Sequence, residues 1–332
     1  MTPARAVGAP VPSLRFGDGA RNGGDGTGQC HLRSTSHLVT SEGPAMAKIS
    51  DILNEGRTIS FEFFPPRTAE AEAQLEQTLR DLEPLRPSYV SVTYGAGGAT
   101  RERTHELVVQ INRDLDLTAM AHLTCAAHSR AELEEILANY RDARIENVLA
   151  LGGDPPSDVD LPPTELDHAV DLVRLARGIG DFSIGVAVHP EPHPRSPTLE
   201  SDRRFTAEKL AEADFGITQF FFEPEHYFEL VDSLHRHDVD KPVIPGIMPV
   251  LSLAGIQRMA QLQGSALPAW LVERLHTVED DPAAVRRVGI DEATRLCSTL
   301  LEGGAPGLHF YTLNRSPATR EIAANLGLAP TH

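Results

Sequence analysis

Residues 58–66 read TISFEFFPP, and the fold prediction starts from this stretch. It is an apolar run of strand length that carries one carboxylate, Glu62, and it stops at two prolines, which cannot continue a sheet ladder. Seven similar runs follow, separated by polar loops and by segments with helical periodicity. The eight predicted strands are residues 58–64, 89–93, 119–123, 147–151, 183–188, 217–222, 242–246 and 308–311. Several are almost continuously apolar, which indicates parallel strands covered on both faces.

The segments between the predicted strands have the spacing of helices. Leu133, Leu137 and Tyr140 fall on one face of a helix, and Ser129 with Glu132 forms a capping box just before them. The interval between the last two strands is long and contains helical patterns at residues 253–262 and 270–275. The sequence therefore predicts an α/β fold, a (β/α)8 TIM barrel with an extra helical segment between strands 7 and 8.

An open, doubly wound sheet is the alternative fold. That fold usually carries a GxGxxG motif after its first strand. The sequence FEFFPP stands at this place instead, so the barrel is favoured.

The composition excludes several classes of function. The chain has 332 residues, of which 41% are hydrophobic, and this is enough for a sizeable core. Its net charge of −17 disfavours nucleic-acid binding, because neutralising phosphates needs a basic face. No apolar run reaches the roughly 20 residues of a membrane-spanning helix, so we expect no membrane partner. Cys30, Cys125 and Cys297 lie far apart, which predicts reduced thiols in a cytoplasmic protein.

Residues 1–45 differ from the rest of the chain. They are rich in Gly, Ser, Thr, Pro and Arg, show no regular periodicity and lack the apolar segment of a secretory signal. Met46 then opens MAKISDILNEG, which reads as an ordinary helical start. We therefore predict a disordered extension over residues 1–45, with Met46 as the native start, and a barrel over residues 46–328.

Polar residues at the carboxyl ends of the strands are the candidates for an active site, because barrel enzymes place their sites there. Glu62 is the strongest candidate, since it stands among Phe61, Phe63 and Phe64. Apolar surroundings favour the protonated form of a carboxyl group, which suits a general acid. A buried ion pair between Glu62 and an arginine is the structural alternative.

Three further motifs are weaker. The glycine-rich residues 95–98 allow close approach to a ligand, but a plain turn explains them equally well. The sequence HPEPH from His189 to His193 resembles a zinc motif, but its prolines exclude the helix that such a motif needs, so we predict no metal. Gln219 in an apolar strand is either a satisfied core amide or a group that binds a polar heterocycle.

At these residues the chain resembles the methylenetetrahydrofolate reductases, of the bacterial type that consists of the catalytic domain alone. The resemblance covers residues 47–328. The matching blocks are SFEFFPPR (60–67), SVTYGAGG (91–98), RTH (103–105), HLTC (122–125), GDP (153–155), HP (193–194), ITQFFF (217–222), IPGIMP (244–249), PAW (268–270) and HFYTLNR (309–315).

The resemblance implies a (β/α)8 barrel that holds FAD at the carboxyl ends of its strands. It also implies ping-pong reduction of 5,10-methylenetetrahydrofolate to 5-methyltetrahydrofolate, the methyl donor for methionine synthesis. The hydride comes from NADH or NADPH, and family type alone favours NADH. No nucleic acid or membrane takes part, and the sequence leaves open whether the chain forms a homo-oligomer.

The family's site residues map onto this chain as follows. Glu62 matches the general acid, Asp154 the carboxylate near flavin and pterin, and Gln219 the amide that contacts both nicotinamide and folate. Arg315 matches a folate-contacting residue. The cofactor-binding positions are Thr93, Tyr94, Ala96, His122, Gly152, Gly153, Asp154, His189, His193, Asp202 and Lys209.

The chain departs from the family pattern at several cofactor positions. Gly152 replaces an arginine, His189 an aromatic residue, Phe205 an asparagine, Glu208 an arginine and Leu253 a phenylalanine. Gly152, Phe205 and Glu208 motivate a second hypothesis, direct hydride transfer from nicotinamide to folate without a stably bound flavin. A third hypothesis is a non-catalytic barrel that binds folate or flavin. The retained general acid disfavours it, because binding alone does not need an acid.

Overall fold

The computed structural model describes residues 47–94, 98–115, 117–153 and 165–328. Its strands form one all-parallel sheet in the order β7-β6-β5-β4-β3-β2-β1-β9-β8. They are β1 Thr58–Phe63, β2 Tyr89–Val92, β3 Ala119–Thr124, β4 Asn147–Leu151, β5 Ser183–Val188, β6 Phe215–Thr218, β7 Val243–Ile244, β8 Gly246–Ile247 and β9 Gly307–Tyr311.

The sheet closes into a barrel through one interrupted strand. β7 pairs with β6 and β8 pairs with β9, and only Pro245 separates the two pieces. Proline has no N–H to donate to a ladder, but its carbonyl accepts a 3.0 Å hydrogen bond from His309 N. Counting β7 and β8 as one strand gives eight, and the predicted (β/α)8 barrel is confirmed.

Helices alternate with the strands, and one helix precedes β1 and another follows β9. They are α1 Ile49–Glu55, α2 Ala69–Leu82, α3 Gly98–Asp114, α4 Arg130–Asp142, α5 Ala169–Ile179, α6 Leu199–Glu212, α7 Pro224–Arg236, α8 Leu253–Gln263, α9 Ala269–His276, α10 Pro282–Glu302 and α11 Pro317–Asn325, with a 3-10 turn at Glu83–Leu85. The capping box of Ser129 and Glu132 is present at the start of α4. α8 and α9 are the predicted extra helices before the last strand.

The predicted position of the sixth strand is wrong. The strand begins at Phe215 and ends at Thr218, so Gln219 follows the strand instead of lying within it. The apolar run continues because Phe220 and Phe222 pack in a separate apolar cluster beneath α8 and α9. An apolar run by itself does not distinguish a buried strand from a loop that packs under helices.

Strand alternation divides the side chains of the barrel between two environments. Phe61 and Phe63 belong to the large core between the strands and the helices. Ile49 and Leu53 of α1 instead join an inner cluster with Tyr89 and other strand residues. The first helix therefore packs into the barrel interior.

Two further expectations concern the N-terminal residues and membrane-spanning helices. Residues 1–46 lie beyond the described residues, so the predicted N-terminal extension stays a prediction. Among the helices of the described ranges, none is both long and apolar enough to cross a lipid bilayer.

Candidate active site

The centre of the site follows from the alternation of β1. Because Phe61 and Phe63 face the helices, Ser60 and Glu62 face the barrel interior. In the strand register, Ser60 is opposite His309 of β9, and Glu62 is opposite Tyr311. These four positions form a polar layer inside the barrel, above the apolar cluster around Tyr89.

Glu62 is buried and lies between two imidazole rings. One Glu62 oxygen, Oε2, lies 3.5 Å from His309 Nε2 and also 3.5 Å from His122 Nε2. Burial lowers the pKa of His122 to about 4, so this ring is neutral at physiological pH. Within the described part of the chain, no arginine or lysine pairs with Glu62. The alternative of a buried Arg–Glu ion pair therefore has no support among these residues.

The surroundings of Glu62 differ from the sequence expectation in one respect. Phe61 and Phe63 point to the opposite side of the strand, and Phe64 is 40% exposed at its end. Neighbours in the sequence therefore do not form the pocket around Glu62. Residues of other strands do, and they are polar as well as buried.

Two side chains after β9 fix the end of β1. Thr312 Oγ1 donates a 2.6 Å hydrogen bond to the carbonyl oxygen of Glu62. The Asn314 carboxamide accepts from Phe64 N at 2.8 Å and donates to Phe64 O at 2.9 Å. Leu313 and Asn314 have positive φ values of 51° and 56°; Asn tolerates this region, but Leu rarely adopts it. This strained turn is held in place by the contacts that position Glu62.

The predicted residues after β2 and β4 lie around the same opening. Thr93 N donates to Phe63 O at 2.9 Å, and the Tyr94 hydroxyl lies 2.8 Å from His128 Nε2. Gly153 has a φ of +78°, and a Cβ there would clash with Thr124 and Ala126. Next to it, Gly152 has no such restriction, because an added Cβ meets only Ala169 N at 3.8 Å. Two predicted residues, Ala96 and Asp154, lie outside the described residues.

The predicted cofactor residues after β5 form a hydrogen-bonded group with helix α6. Asp202 is buried and accepts from His193 N at 3.1 Å and from Ser196 Oγ at 2.8 Å. The rings of His189 and His193 meet edge to face, 4.6 Å apart. Burial, reinforced by nearby cationic groups, lowers the pKa of His189 to about 3.

Two cationic side chains of the same region donate hydrogen bonds to backbone carbonyl oxygens. Lys209 Nζ donates to Ala187 O at 2.6 Å, and burial lowers the pKa of Lys209 to about 8. The buried Arg203 guanidinium donates to His189 O at 2.9 Å and also to Pro190 O. Lys209 therefore stabilises the end of β5, and Arg203 stabilises the loop that follows it.

Gln219 and Arg315 complete the predicted set. Gln219 N donates to Val188 O at 2.8 Å, which fixes its backbone directly after β6. Its half-buried side chain makes no hydrogen bond with other described residues, unlike a satisfied core amide. Arg315 is exposed after β9 and forms no ion pair within the described ranges. Both side chains are therefore available to a ligand.

Sequence reasoning assigned no role in the site to Ser60, His309, Arg203 or Asn314. His309 is fully buried at the end of the chain, and a lone histidine in an apolar run is not a site signal. The period-2 alternation of β1 and β9 was the available signal, because it places Ser60, Glu62 and His309 on the same inner face. No group of His, Cys, Asp or Glu residues in the described structure is arranged to hold a metal ion.

Comparison with known proteins places this chain in a family. The family model described as methylenetetrahydrofolate reductase matches residues 48–327. The 5,10-methylenetetrahydrofolate reductase of Pectobacterium carotovorum is 37% identical over 278 residues, which are 83% of this chain and 92% of that protein. The protein of the same name from Escherichia coli K12 is 37% identical over 82% of this chain and 91% of its own length.

A solved structure agrees on the fold. It is an uncharacterised protein from Clostridium thermocellum that binds two copies of 5-methyl-5,6,7,8-tetrahydrofolic acid, with a TM-score of 0.57, 15% identity, and coverage of 85% of this chain and 98% of that one. At this identity the likeness concerns the fold alone. The matched family model and the relatives together establish that the chain belongs to the methylenetetrahydrofolate reductase family.

Proposed function

We propose that this chain reduces the methylene bridge of 5,10-methylenetetrahydrofolate to the methyl group of 5-methyltetrahydrofolate, with NADH or NADPH as the hydride source and FAD as the cofactor. The observation that supports this most directly is Glu62, a buried carboxyl group at the carboxyl end of β1 that faces imidazoles and no described cation. A carboxyl group in such surroundings can hold a proton and deliver it to a substrate.

Glu62 serves the step that makes the substrate reactive. The methylene carbon of the folate accepts hydride only after one of its C–N bonds breaks and leaves an iminium. Glu62 delivers a proton to the departing nitrogen, which takes the electron pair of the broken bond. Gln219, with its half-buried side chain free of described partners, binds the polar ring of nicotinamide and folate in turn. Arg315, exposed at the same end of the barrel, pairs with the folate's carboxylates.

The inner part of the site fits a flavin ring. Ser91 Oγ is buried without a hydrogen-bond partner in the described structure, and His122 Nε2 has only its 3.5 Å contact with Glu62 there. Such groups are costly unless a ligand satisfies them. Thr93 and Tyr94 directly follow β2, and Asp154 is expected near the same ring. When bound, the flavin would take hydride from the nicotinamide and supply it to the folate.

The residues expected to bind the FAD diphosphate support a second candidate function. Lys209 and Arg203 both donate to backbone carbonyls, and the Glu208 carboxylate lies 3.8 Å from Arg204. Gly152 contributes no charge. These observations leave few cations free for the diphosphate, so direct hydride transfer from nicotinamide to folate without stably bound FAD is the runner-up.

One preparation distinguishes the two candidates. The purified full chain is examined by visible absorbance and then assayed for production of 5-methyltetrahydrofolate with NADH and, separately, with NADPH. Flavin absorbance together with folate reduction supports the proposal, whereas a colourless and active protein supports direct transfer. Failure to form 5-methyltetrahydrofolate with either nicotinamide, with or without added FAD, would overturn both. We also expect a cytoplasmic location, and size-exclusion chromatography with light scattering would determine whether the chain forms a homo-oligomer.

A further inference from the structure

Helix α6 carries an exposed phenyl ring beside the hydrogen-bonded group that follows β5. Phe205 is 52% exposed and belongs to none of the three apolar clusters formed by the described residues. Single exposed apolar side chains are common on protein surfaces, so exposure alone assigns no role to this ring. Its position on the helix and the side chains around it do.

One flank of α6 faces the residues that are expected to bind the cofactor. Asp202 accepts hydrogen bonds from the loop after β5, and Lys209 donates to Ala187 O near the end of β5. The opposite charges of Asp202 and Lys209 attract each other. Phe205 follows Asp202 by three positions and precedes Lys209 by four, which places it about 60° and about 40° from them around the helix axis. The ring therefore borders the flank that Asp202 and Lys209 occupy.

A cation lies over one face of the ring. Arg204 Cζ is 4.9 Å from the centre of the Phe205 ring, within the range of a cation–π attraction. Arg204 Nε is also 3.8 Å from Glu208 Oε1 on the next turn of the helix, so the guanidinium contacts both the ring and a carboxylate. Because Phe205 stays half exposed beside Arg204, a second flat group can stack on the ring.

The chemistry of these side chains selects one part of FAD. The proposed function needs the flavin ring inside the barrel, close to Glu62 and the folate. The diphosphate is negatively charged, and the Glu208 carboxylate beside the phenyl ring repels it. Adenine is flat, aromatic and uncharged, and every nucleic-acid base can stack on an aromatic side chain.

We propose that Phe205 is the platform on which the adenine base of FAD stacks, with Arg204 completing the stack. The proposal rests on FAD being the cofactor, as in the proposed function. It supplies a neutral contact in a region where few cations are free, since Lys209 and Arg203 donate to backbone carbonyls. The chain therefore gains affinity for FAD at the adenine end, and it should prefer FAD to FMN, which has the same flavin ring but no adenine.

The test compares the binding of FAD with the binding of FMN. Each is titrated into the full chain, freed of bound flavin, and followed by flavin fluorescence. Phe205→Asn should raise the Kd of FAD by about 5–100-fold, the range for removing one base–aromatic stack, and should change the Kd of FMN by less than about 2-fold. Phe205→Trp keeps a stacking surface and should bind FAD as tightly as the original chain. Because the ring is half exposed, the urea midpoint of the flavin-free chain should stay the same in both variants.

Leu199 provides a matched control on the same helix. It is 51% exposed, and its place six positions before Phe205 puts it about 120° away around the helix axis. Leu199→Asn removes a similar exposed apolar side chain and should change neither Kd. If Leu199→Asn and Phe205→Asn weaken FAD equally, or if FMN weakens as much as FAD, the loss is not that of an adenine stack and the proposal fails.

Two further outcomes separate this proposal from the proposed function. If the original chain reduces folate but binds no FAD, the proposed cofactor is wrong and the role of Phe205 fails with it. If the original chain binds FAD and Phe205→Asn binds it equally well, only the role of Phe205 is refuted. A raised KM for NADH in Phe205→Asn, with an unchanged Kd for FAD, would assign the ring to the adenine of the nicotinamide and would also overturn the proposal.

Discussion

Replacing Glu62 by Gln should separate the two halves of the proposed reaction. Gln has nearly the same size and polarity, so it can still lie between His122 and His309. Among the described residues, the Glu62 carboxylate has two polar contacts of 3.5 Å, to His122 and His309, so the free energy of unfolding should change by no more than about 1 kcal/mol. Gln cannot deliver a proton, and general acid catalysis contributes ~10²–10⁴-fold. Folate reduction should fall by that factor, which is about 3–5 kcal/mol in the activation free energy.

Oxidation of the nicotinamide needs no proton from Glu62. With menadione as an artificial electron acceptor in place of folate, the variant should oxidise NADH at a rate within a few-fold of the original. Steady-state assays with each acceptor measure the two activities, and urea unfolding checks stability. An equal loss with both acceptors would refute the reasoning, because Glu62 would then support the structure of the site and not the protonation of the folate.

Four other changes test the remaining parts of the site. Gln219→Ala should weaken reaction with nicotinamide and with folate alike, by about 2–10-fold for one lost hydrogen bond, in stopped-flow measurements of each substrate; normal rates with both would remove Gln219 from the site. Gly152→Arg should slow the dissociation of FAD measured by fluorescence, because it adds a cation at a position where the backbone leaves room for a side chain. The neutral Gly152→Gln is its control, and equal effects of the two variants would exclude a charge effect. Gly153→Ala should lower the free energy of unfolding by about 2–4 kcal/mol, because the added Cβ would clash with Thr124 and the φ of Gly153 is positive. Its control, Gly152→Ala, should have little effect, and equal urea midpoints for the two variants would contradict this prediction. Binding of FAD should weaken as pH rises through about 8, where Lys209 loses its proton. Titrations of the protein with FAD at several pH values should show no such dependence in Lys209→Met, and an unchanged dependence in this variant would show that another group is responsible.

The barrel could be predicted from the sequence because the alternation of apolar strands and helical segments repeats along the chain. Most strands are apolar, most helices are amphipathic, and α4 carries its capping box in the sequence. The ends of the strands were less predictable where one apolar run contributes both to a strand and to the loop after it. Phe215 belongs to β6, whereas Phe220 belongs to a cluster under α8 and α9, and both look the same in a one-dimensional pattern.

The candidate site could be predicted only in part, for a different reason. Glu62 was recognised because a carboxylate stands out in an apolar strand, but its true neighbours come from β3 and β9. His309 is 247 positions away in the sequence. Contacts at this range are set by strand register, and no local pattern specifies register between the first and the last strand. The strained turn at Leu313 and Asn314 was also unpredictable, because neither residue type requires a positive φ.

The pairing of the first strand with the last has a consequence for protein synthesis. Glu62 leaves the ribosome early, but the hydroxyl that holds its carbonyl, that of Thr312, follows 250 positions later. Until β9 has emerged, one edge of β1 has no partner and the carboxyl group of Glu62 lacks His309. A nascent chain can therefore assemble most of its helices and strands and still be inactive, with an open edge that can pair with other chains. Activity in this architecture reports that translation has been completed, and a prematurely terminated product is expected to be a substrate for chaperones and proteases and not a weak enzyme.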